Sequence, residues 1–260
     1  MSLSILLHSS KTMRPNPQPG LRQPQLLEKA QQLDAYLKTL SAGELGKAMH
    51  LSGALAQKTH ALIADWNTAP EKQSLALDCF VGDIYSGLRA NSLLADDRDY
   101  ADKTLFILSG LYGAIRPYDG VCPYRLEMGY RFPGAAFTNL YQYWGDAIAK
   151  CLPSDGAIVN VTSEEFMRTI TPFVDPARIV TPRFFTVNPK TGEPVFVVVH
   201  AKIARGAFAR WLVTTRTTKV SDFKNFDDLG YVHSPTLSTV DSPAFVCDTF
   251  LGKGLSMKTG

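Results

Sequence analysis

Residues Leu108–Gly129 read LSGLYGAIRPYDGVCPYRLEMG. Gly110, Gly113, Gly120 and Gly129 are interspersed there with Tyr112, Tyr118 and Tyr124, with Arg116 and Arg125, with Asp119 and Glu127, and with Pro117 and Pro123. Glycine allows close backbone approach or positive φ, and proline stiffens the turns between. Two readings stay open from the residues alone. One is a ligand-facing loop. The other is a tight crossover whose tyrosines pack and whose arginines pair with Asp119 and Glu127. The apolar run Thr104–Leu108 precedes the stretch and reads as a central parallel strand. Ser109–Tyr124 then becomes the loop beyond its carboxyl end.

Two further apolar runs have the same form. Leu3–Leu7 delivers His8-Ser9-Ser10-Lys11-Thr12 into a loop, and Ala157–Val161 ends at Thr162-Ser163-Glu164-Glu165. Strands that each end in polar loops favour one sheet with a single ligand edge. A phosphate-loop glycine fingerprint is absent, so no nucleotide fold is assigned. Ile179–Thr186 and Val195–His200 flank NPKTGEP, a hairpin composition that predicts an antiparallel addition to the sheet. FDDLGYVH (226–233) and PAFVCDTF (243–250) read as a closing strand pair.

Helical patterns fill the rest. Leu26, Leu27, Leu33, Leu37 and Leu40 recur at helix spacing after a proline-rich linker from Arg14 to Pro24. Ser41 with Glu44 is a capping-box signature, and a second helix is expected from about Glu44 to Trp66. The glycine-bearing turn between them suggests a helix-hairpin-helix near residues 26–66, in which backbone N–H groups would hold a phosphate. His50 and His60 read as ordinary helix residues. Asp83 suits a helix cap. Asp96–Asp102 reads as a solvated helix start, and Tyr141–Lys150 as a helix with Trp144 in the core. From Ala201 a helix carries Ala204, Phe208, Trp211, Leu212 and Thr215 on one side. Lys202, Arg205 and Arg216 fall within ~60° of one another on a neighbouring face. That stripe either faces an anionic partner or meets acids such as Asp227 and Asp228. The expected fold is mixed α/β, a central largely parallel sheet with an antiparallel addition and flanking helices. It forms one domain over residues 1–260, with residues 252–260 a disordered tail.

Several stretches together carry a resemblance: ILSGLYG, RPYD and PYRLEMG within 107–129, SKT at Ser10–Thr12, GDIYSGL at Gly82–Leu88, LYQYWGD at Leu140–Asp146, NVTSEEF at Asn160–Phe166 and AKIARG at Ala201–Gly206. In this order they resemble the YaaA family of bacterial peroxide-stress proteins. Relatives usually read SPAKT where this chain has Ser9-Ser10-Lys11-Thr12. The resemblance implies a cytosolic protein that limits peroxide damage, with links to lower free iron and to DNA binding.

Composition sets the bounds. With 45% hydrophobic and 20% charged residues the chain has the balance of a globular protein, and its net charge of +3 does not by itself announce nucleic acid. The distribution says more: Arg178–Lys219 holds eight basic residues and one acid, Glu193. Cys79, Cys122, Cys151 and Cys247 are scattered with no zinc spacing, which fits reduced thiols in a cytoplasmic protein. Cys122 is the candidate for a peroxide-reactive thiol. LSILL is too short for a signal or membrane segment.

Standard catalytic motifs are absent. What remains is a cleft of Lys11, Asp83, Ser109, Tyr112, Arg116, Asp119, Tyr124, Arg125, Lys202 and Arg205. Arg116, Arg125, Lys202 and Arg205 are read as phosphate contacts, and Ser109, Tyr112 and Tyr124 as cleft residues whose rings meet unpaired bases. The expected partner is DNA, bound by a monomer without cofactor or metal. The rival reading is an enzyme on a damaged nucleobase or nucleotide, with Lys11 and Asp83 or Asp119 catalytic. Direct iron binding ranks below both, since ligand clusters are few.

Overall fold

The computed structural model describes residues 3–16 and 18–255. Pro17 of the proline-rich linker and residues 256–260 of the tail lie outside the described residues. In chain order the first strands are β1 (Leu3–His8), β2 (Thr12–Met13), β3 (Ser74–Leu75), β4 (Phe80–Val81), β5 (Leu105–Ser109), β6 (Gly113–Ile115) and β7 (Gly120–Val121). They are followed by β8 (Ala157–Asn160), β9 (Ile179–Val180), β10 (Arg183–Val187), β11 (Pro194–Val195), β12 (Val232–His233) and β13 (Ala244–Cys247).

The central sheet has the order β6-β5-β1-β8-β9. β1 lies parallel to β5 on one side and to β8 on the other, β8 is parallel to β9, and only β6 is antiparallel. Ile5, Leu6, Leu7, Leu105, Ile107 and Leu108 have no exposed surface. An unbroken apolar run is what a strand covered on both faces requires. The expected mixed α/β fold with a largely parallel centre is therefore what forms.

The antiparallel member is not where the hairpin composition put it. NPKTGEP does turn β10 into β11, but these strands join β13 and β12 in a second sheet of order β11-β10-β13-β12. Pro182 follows Val180 and Thr181, and a residue without an N–H cannot extend a ladder. The chain leaves the central sheet there and starts the second. The central sheet instead takes its antiparallel strand from within Leu108–Gly129, where Ser109 pairs with Gly113 across a tight turn. Gly113 sits at φ +72°, and a side chain there would press on the Trp144 ring at 2.9 Å.

The helices are α1 (Leu27–Leu37), α2 (Ala42–Met49), α3 (Gly53–Asp65), α4 (Ala76–Cys79), α5 (Asp83–Leu88), α6 (Ala95–Thr104), α7 (Leu140–Trp144), α8 (Glu164–Met167) and α9 (Val198–Thr215). Ser41 caps α2 as read: its Oγ accepts from Glu44 N at 3.3 Å while Glu44 Oε2 accepts from Ser41 N at 2.8 Å. Three other expectations change. The supposed glycine turn at 41–46 is the start of α2, and the expected 44–66 helix breaks at His50, which takes φ +54°. The helix-hairpin-helix therefore does not form as drawn; α2 packs on α3 instead. The Tyr141–Lys150 helix stops at Trp144, where Gly145 adopts φ +51°. α9 starts three residues before Ala201, so Val198–His200 is helix, not strand. Residues 252–255, expected to be disordered, include a short 3-10 turn at Lys253–Leu255.

Two of the sequence motifs find their reason in one contact. A Cβ on Gly87 of α5 would overlap Ile203 O, and one on Gly206 of α9 would overlap Ile84 O. α5 and α9 cross backbone against backbone, which only glycine allows. The crossing sets the amino end of α5 and the Lys202–Arg205 turn of α9 beside the carboxyl ends of β1 and β8.

Candidate functional site

β1 is the strand from which the chain proceeds to both sides of the sheet, so its carboxyl end opens on a crevice where open α/β sheets bind ligands. His8 ends β1. The following loop is held by Ser9 N donating to Leu108 O at 2.8 Å, by Ser10 Oγ donating to Val81 O, and by β2 pairing with β4. Tyr85 Oη donates to His8 O at 2.8 Å. The cleft has a volume of about 390 Å³, and its walls include Lys11, Asp83, Glu127, Glu165 and Lys202.

One wall is acidic and already engaged. Glu127 Oε2 meets Lys11 Nζ at 2.9 Å and accepts from Tyr130 Oη at 2.7 Å. Glu165 Oε1 accepts from Gly129 N at 3.1 Å. Arg125 sits at the rim with Nη1 3.5 Å from Lys11 O. The other wall belongs to α9. Lys202 is exposed. Arg205, one turn further on, is half-buried, its side chain makes no hydrogen bond or ion pair with any described residue, and its pKa is lowered by burial. His8 lies between the walls, stacked on Phe166 with ring centroids 5.3 Å apart. Burial first, then Arg205 and Lys202, pull its pKa down to about 3, so the ring is neutral at physiological pH. Its Nδ1 is buried without a partner among the described residues.

The tyrosines read as stacking platforms lie beneath the cleft. Ser109 and Tyr112 have no exposed surface and Tyr124 keeps 3%. Tyr112 Oη accepts from Trp66 Nε1 at 2.7 Å and from Cys122 N at 3.0 Å; Ser109 Oγ accepts from Tyr112 N at 2.9 Å and lies 2.6 Å from Tyr124 Oη. Burial pushes the Tyr124 hydroxyl up to about 12. A ring packed edge-on against its neighbours offers no face to a base, so these residues support the cleft floor and do not stack on ligand.

Arg116 and Asp119 are not in the cleft. The Ser109–Gly113 turn reverses the chain, and β6 carries it back toward the amino edge of the sheet. There Arg116 Nε donates to Asp102 O at 2.9 Å and its guanidinium lies over the Phe106 ring at 4.2 Å. Asp119, 1% exposed, accepts from Arg116 N at 2.8 Å and pairs with Arg22 at 2.8 Å. Arg216 likewise leaves the basic stripe: it pairs with Asp97 at 2.9 Å and covers Tyr100. Its acid comes from α6, not from Asp227 or Asp228.

His8, Glu165 and Phe166 enter the site without having been singled out, and Glu127, expected to pair with an arginine of its own stretch, pairs with Lys11 in the cleft. For Glu127 a signal existed. Cys122–Met128 alternates buried and half-buried residues, with Tyr124, Leu126 and Met128 inward and Arg125 and Glu127 outward. Period-two alternation marks an extended segment with one face on the core. Nothing local marked His8 or Glu165, whose roles depend on which strand ends are neighbours.

Cys122 is 4% exposed, its Sγ donates to Asn67 O at 3.1 Å, and burial raises its pKa. Burial also raises Cys79 and Cys151, each to about 11. Such thiols stay protonated, which overturns the reading of Cys122 as peroxide-reactive. Among the described residues no group of three or more His, Cys, Asp or Glu side chains is placed to hold a metal ion, and no helix is long and apolar enough to cross a membrane. A larger cavity of about 670 Å³ includes Asp78, Arg89 and Arg98, but there Arg98 pairs with Asp78 and Arg89 with Asp228. Both arginines there are held in ion pairs.

A family profile described as peroxide stress protein YaaA matches residues 3–237, a span that contains every cleft residue. A UPF0246 protein of Salinispora tropica is 57% identical over 256 residues, 98% of this chain and 97% of that protein. A UPF0246 protein of Ralstonia pickettii is 41% identical over 217 residues, 80% of this chain and 83% of its own length. One from Burkholderia pseudomallei is 39% identical over 233 residues, covering 86% and 89%.

Proposed function

The chain belongs to the peroxide stress protein YaaA family, and on that premise we propose that its carboxyl-edge cleft binds phosphate groups of DNA and thereby limits peroxide damage. The observation that carries the reading is Arg205, a half-buried guanidinium without a carboxylate partner among the described residues, with Lys202 one turn away and the uncharged His8 beside them. A cation partly removed from water and left unpaired is costly, and an anionic ligand offsets the cost. Phosphate is the anion that suits a guanidinium fork and an ammonium together. Peroxide reacts with ferrous iron to give hydroxyl radical. A protein cation seated on a DNA phosphate competes with Fe²⁺ for the same oxygens, which links DNA binding to iron control. The proposed setting is the cytoplasm, consistent with four free cysteines, and the proposed binding unit is a monomer.

The test is DNA binding across a salt series. Lys202→Ala and Arg205→Met should each weaken binding and reduce the slope of log affinity against log salt by about 1. Arg116→Ala should leave that slope unchanged. Absence of binding at low salt, or indifference to both α9 substitutions, would sink the reading.

A second reading is favoured by the opposite wall. Lys11 paired with Glu127 beside a neutral histidine is a proton-handling arrangement, as an enzyme on a damaged nucleobase or nucleotide needs. Turnover lost in Lys11→Ala with DNA affinity retained would establish it.

A further inference from the structure

We propose that the cleft is built for a terminal phosphomonoester, carried by a nucleotide or a DNA strand end, and not for a phosphodiester within a continuous strand. The proposal rests on the phosphate reading and narrows it. Three features point the same way.

The first is the opposition of the walls. Lys202 lines the cavity from α9 with Arg205 at its margin, while Glu127, Glu165 and Asp83 line it from the segment after β7, from α8 and from the start of α5. A strand running through would carry its phosphates past the carboxylates, since charges recur about every 3.4 Å along each strand of DNA. A chain end presents one phosphate to the basic wall and its uncharged sugar and base to the acidic one, where carboxylates accept from hydroxyl and amino groups.

The second is size. A cavity of about 390 Å³ lies at the small end of the range for ligand pockets, the size of one nucleotide unit.

The third is charge and hydrogen bonding. A phosphomonoester carries roughly −1.5 to −2 at neutral pH, where a diester carries one charge. The α9 wall offers two cations, while Lys11 is already compensated by Glu127. His8 also lines the cavity, and the Nδ1 of its ring is buried without a partner among the described residues.

The experiment compares short single-stranded oligonucleotides of one sequence bearing a 5′-phosphate, a 3′-phosphate or hydroxyls at both ends, using fluorescence anisotropy and the full-length chain. Thymidine and thymidine 5′-monophosphate serve as competitors. A phosphate at one end should raise affinity by about tenfold or more, and the gain should vanish in Lys202→Ala and Arg205→Met. Thermal melting would verify that both variants fold; Lys202 is exposed, so its removal leaves the core intact. Displacement by the monophosphate and not by thymidine identifies a free nucleotide as a sufficient ligand. Displacement by neither, with the end preference kept, identifies the strand end. Equal affinity for all three oligonucleotides, still weakened by the α9 substitutions, overturns the terminal preference and leaves the DNA reading standing. An end preference untouched by both substitutions removes the site from this cleft. Binding of none of the probes removes the phosphate reading as well.

Discussion

Two charged clusters sit at opposite edges of the central sheet, and their difference separates architecture from function. At the amino edge Arg22, Asp102, Arg116 and Asp119 form a closed set in which each charge meets another charge or a backbone group. At the carboxyl edge Lys11 and Glu127 are matched, but Arg205 has no such partner among the described residues. Both clusters draw on Leu108–Gly129, and both contain arginine and carboxylate. Residue type does not tell them apart; the balance of partners does.

The strongest way to break the comparison is to prise apart the helices that assemble the cleft. Gly206→Ala drives a methyl into Ile84 O, a backbone atom that cannot rotate away. Urea unfolding should show a loss of about 3 kcal/mol or more. A smaller loss would mean that the α5–α9 crossing is not what holds the cleft walls.

The amino-edge cluster has a pH signature opposite in sense to that of His8 in the cleft, whose lowered pKa costs stability only as pH falls below its ordinary range. Burial raises Asp119 from 3.8 to about 6, against the pull of the Arg116 N–H and Arg22. The folded state thus keeps a proton between about pH 4 and 6 that the unfolded chain has released. This contribution to stability is full below pH 3.8 and is lost as pH rises through about 6. Asp119→Asn should remove that loss, roughly 2–3 kcal/mol in the difference between the two stability curves. Parallel curves would show that Asp119 titrates normally.

Asp119→Ala asks a different question, because it strips the acceptor from Arg116 N. It should cost about 2 kcal/mol by chemical denaturation. It should leave the salt dependence of DNA binding unchanged, which a direct role in DNA contact would contradict.

The smallest expected effect sharpens the contrast most. Arg205→Met removes a half-buried cation and keeps its packing volume, so thermal unfolding should show stability retained or raised by about 1 kcal/mol. A substantial loss would reveal a structural partner and end its assignment as a ligand group.

Much of the fold could be read from the chain. Leu3–Leu7, Thr104–Leu108 and Ala157–Val161 appear as buried strands because an apolar run bounded by polar residues is a local property. Ser41 with Glu44 identified the start of α2 for the same reason. The glycine-rich motifs around Gly87 and Gly206 were visible as motifs, but their purpose was not, since each glycine is required by a helix more than a hundred residues away. Of the ten residues gathered in sequence, Lys11, Asp83 and Lys202 line the cleft, with Arg125 and Arg205 at its margins. Ser109, Tyr112 and Tyr124 lie beneath it, and Arg116 and Asp119 are at the other edge.

The fold class, the family and the presence of a polar loop at the end of β1 follow from the order of residues alone. These depend on periodicity, on caps and on ordered motifs, all carried by neighbours along the chain. Which charges neutralise one another is set by folding. The antiparallel turn from Ser109 to Gly113 carries Arg116 and Asp119 away from the cleft, and the α5–α9 crossing places Lys202 and Arg205 at it. Coulombic pairing and desolvation act through space, so the cation left without a partner becomes visible only when the whole chain is folded.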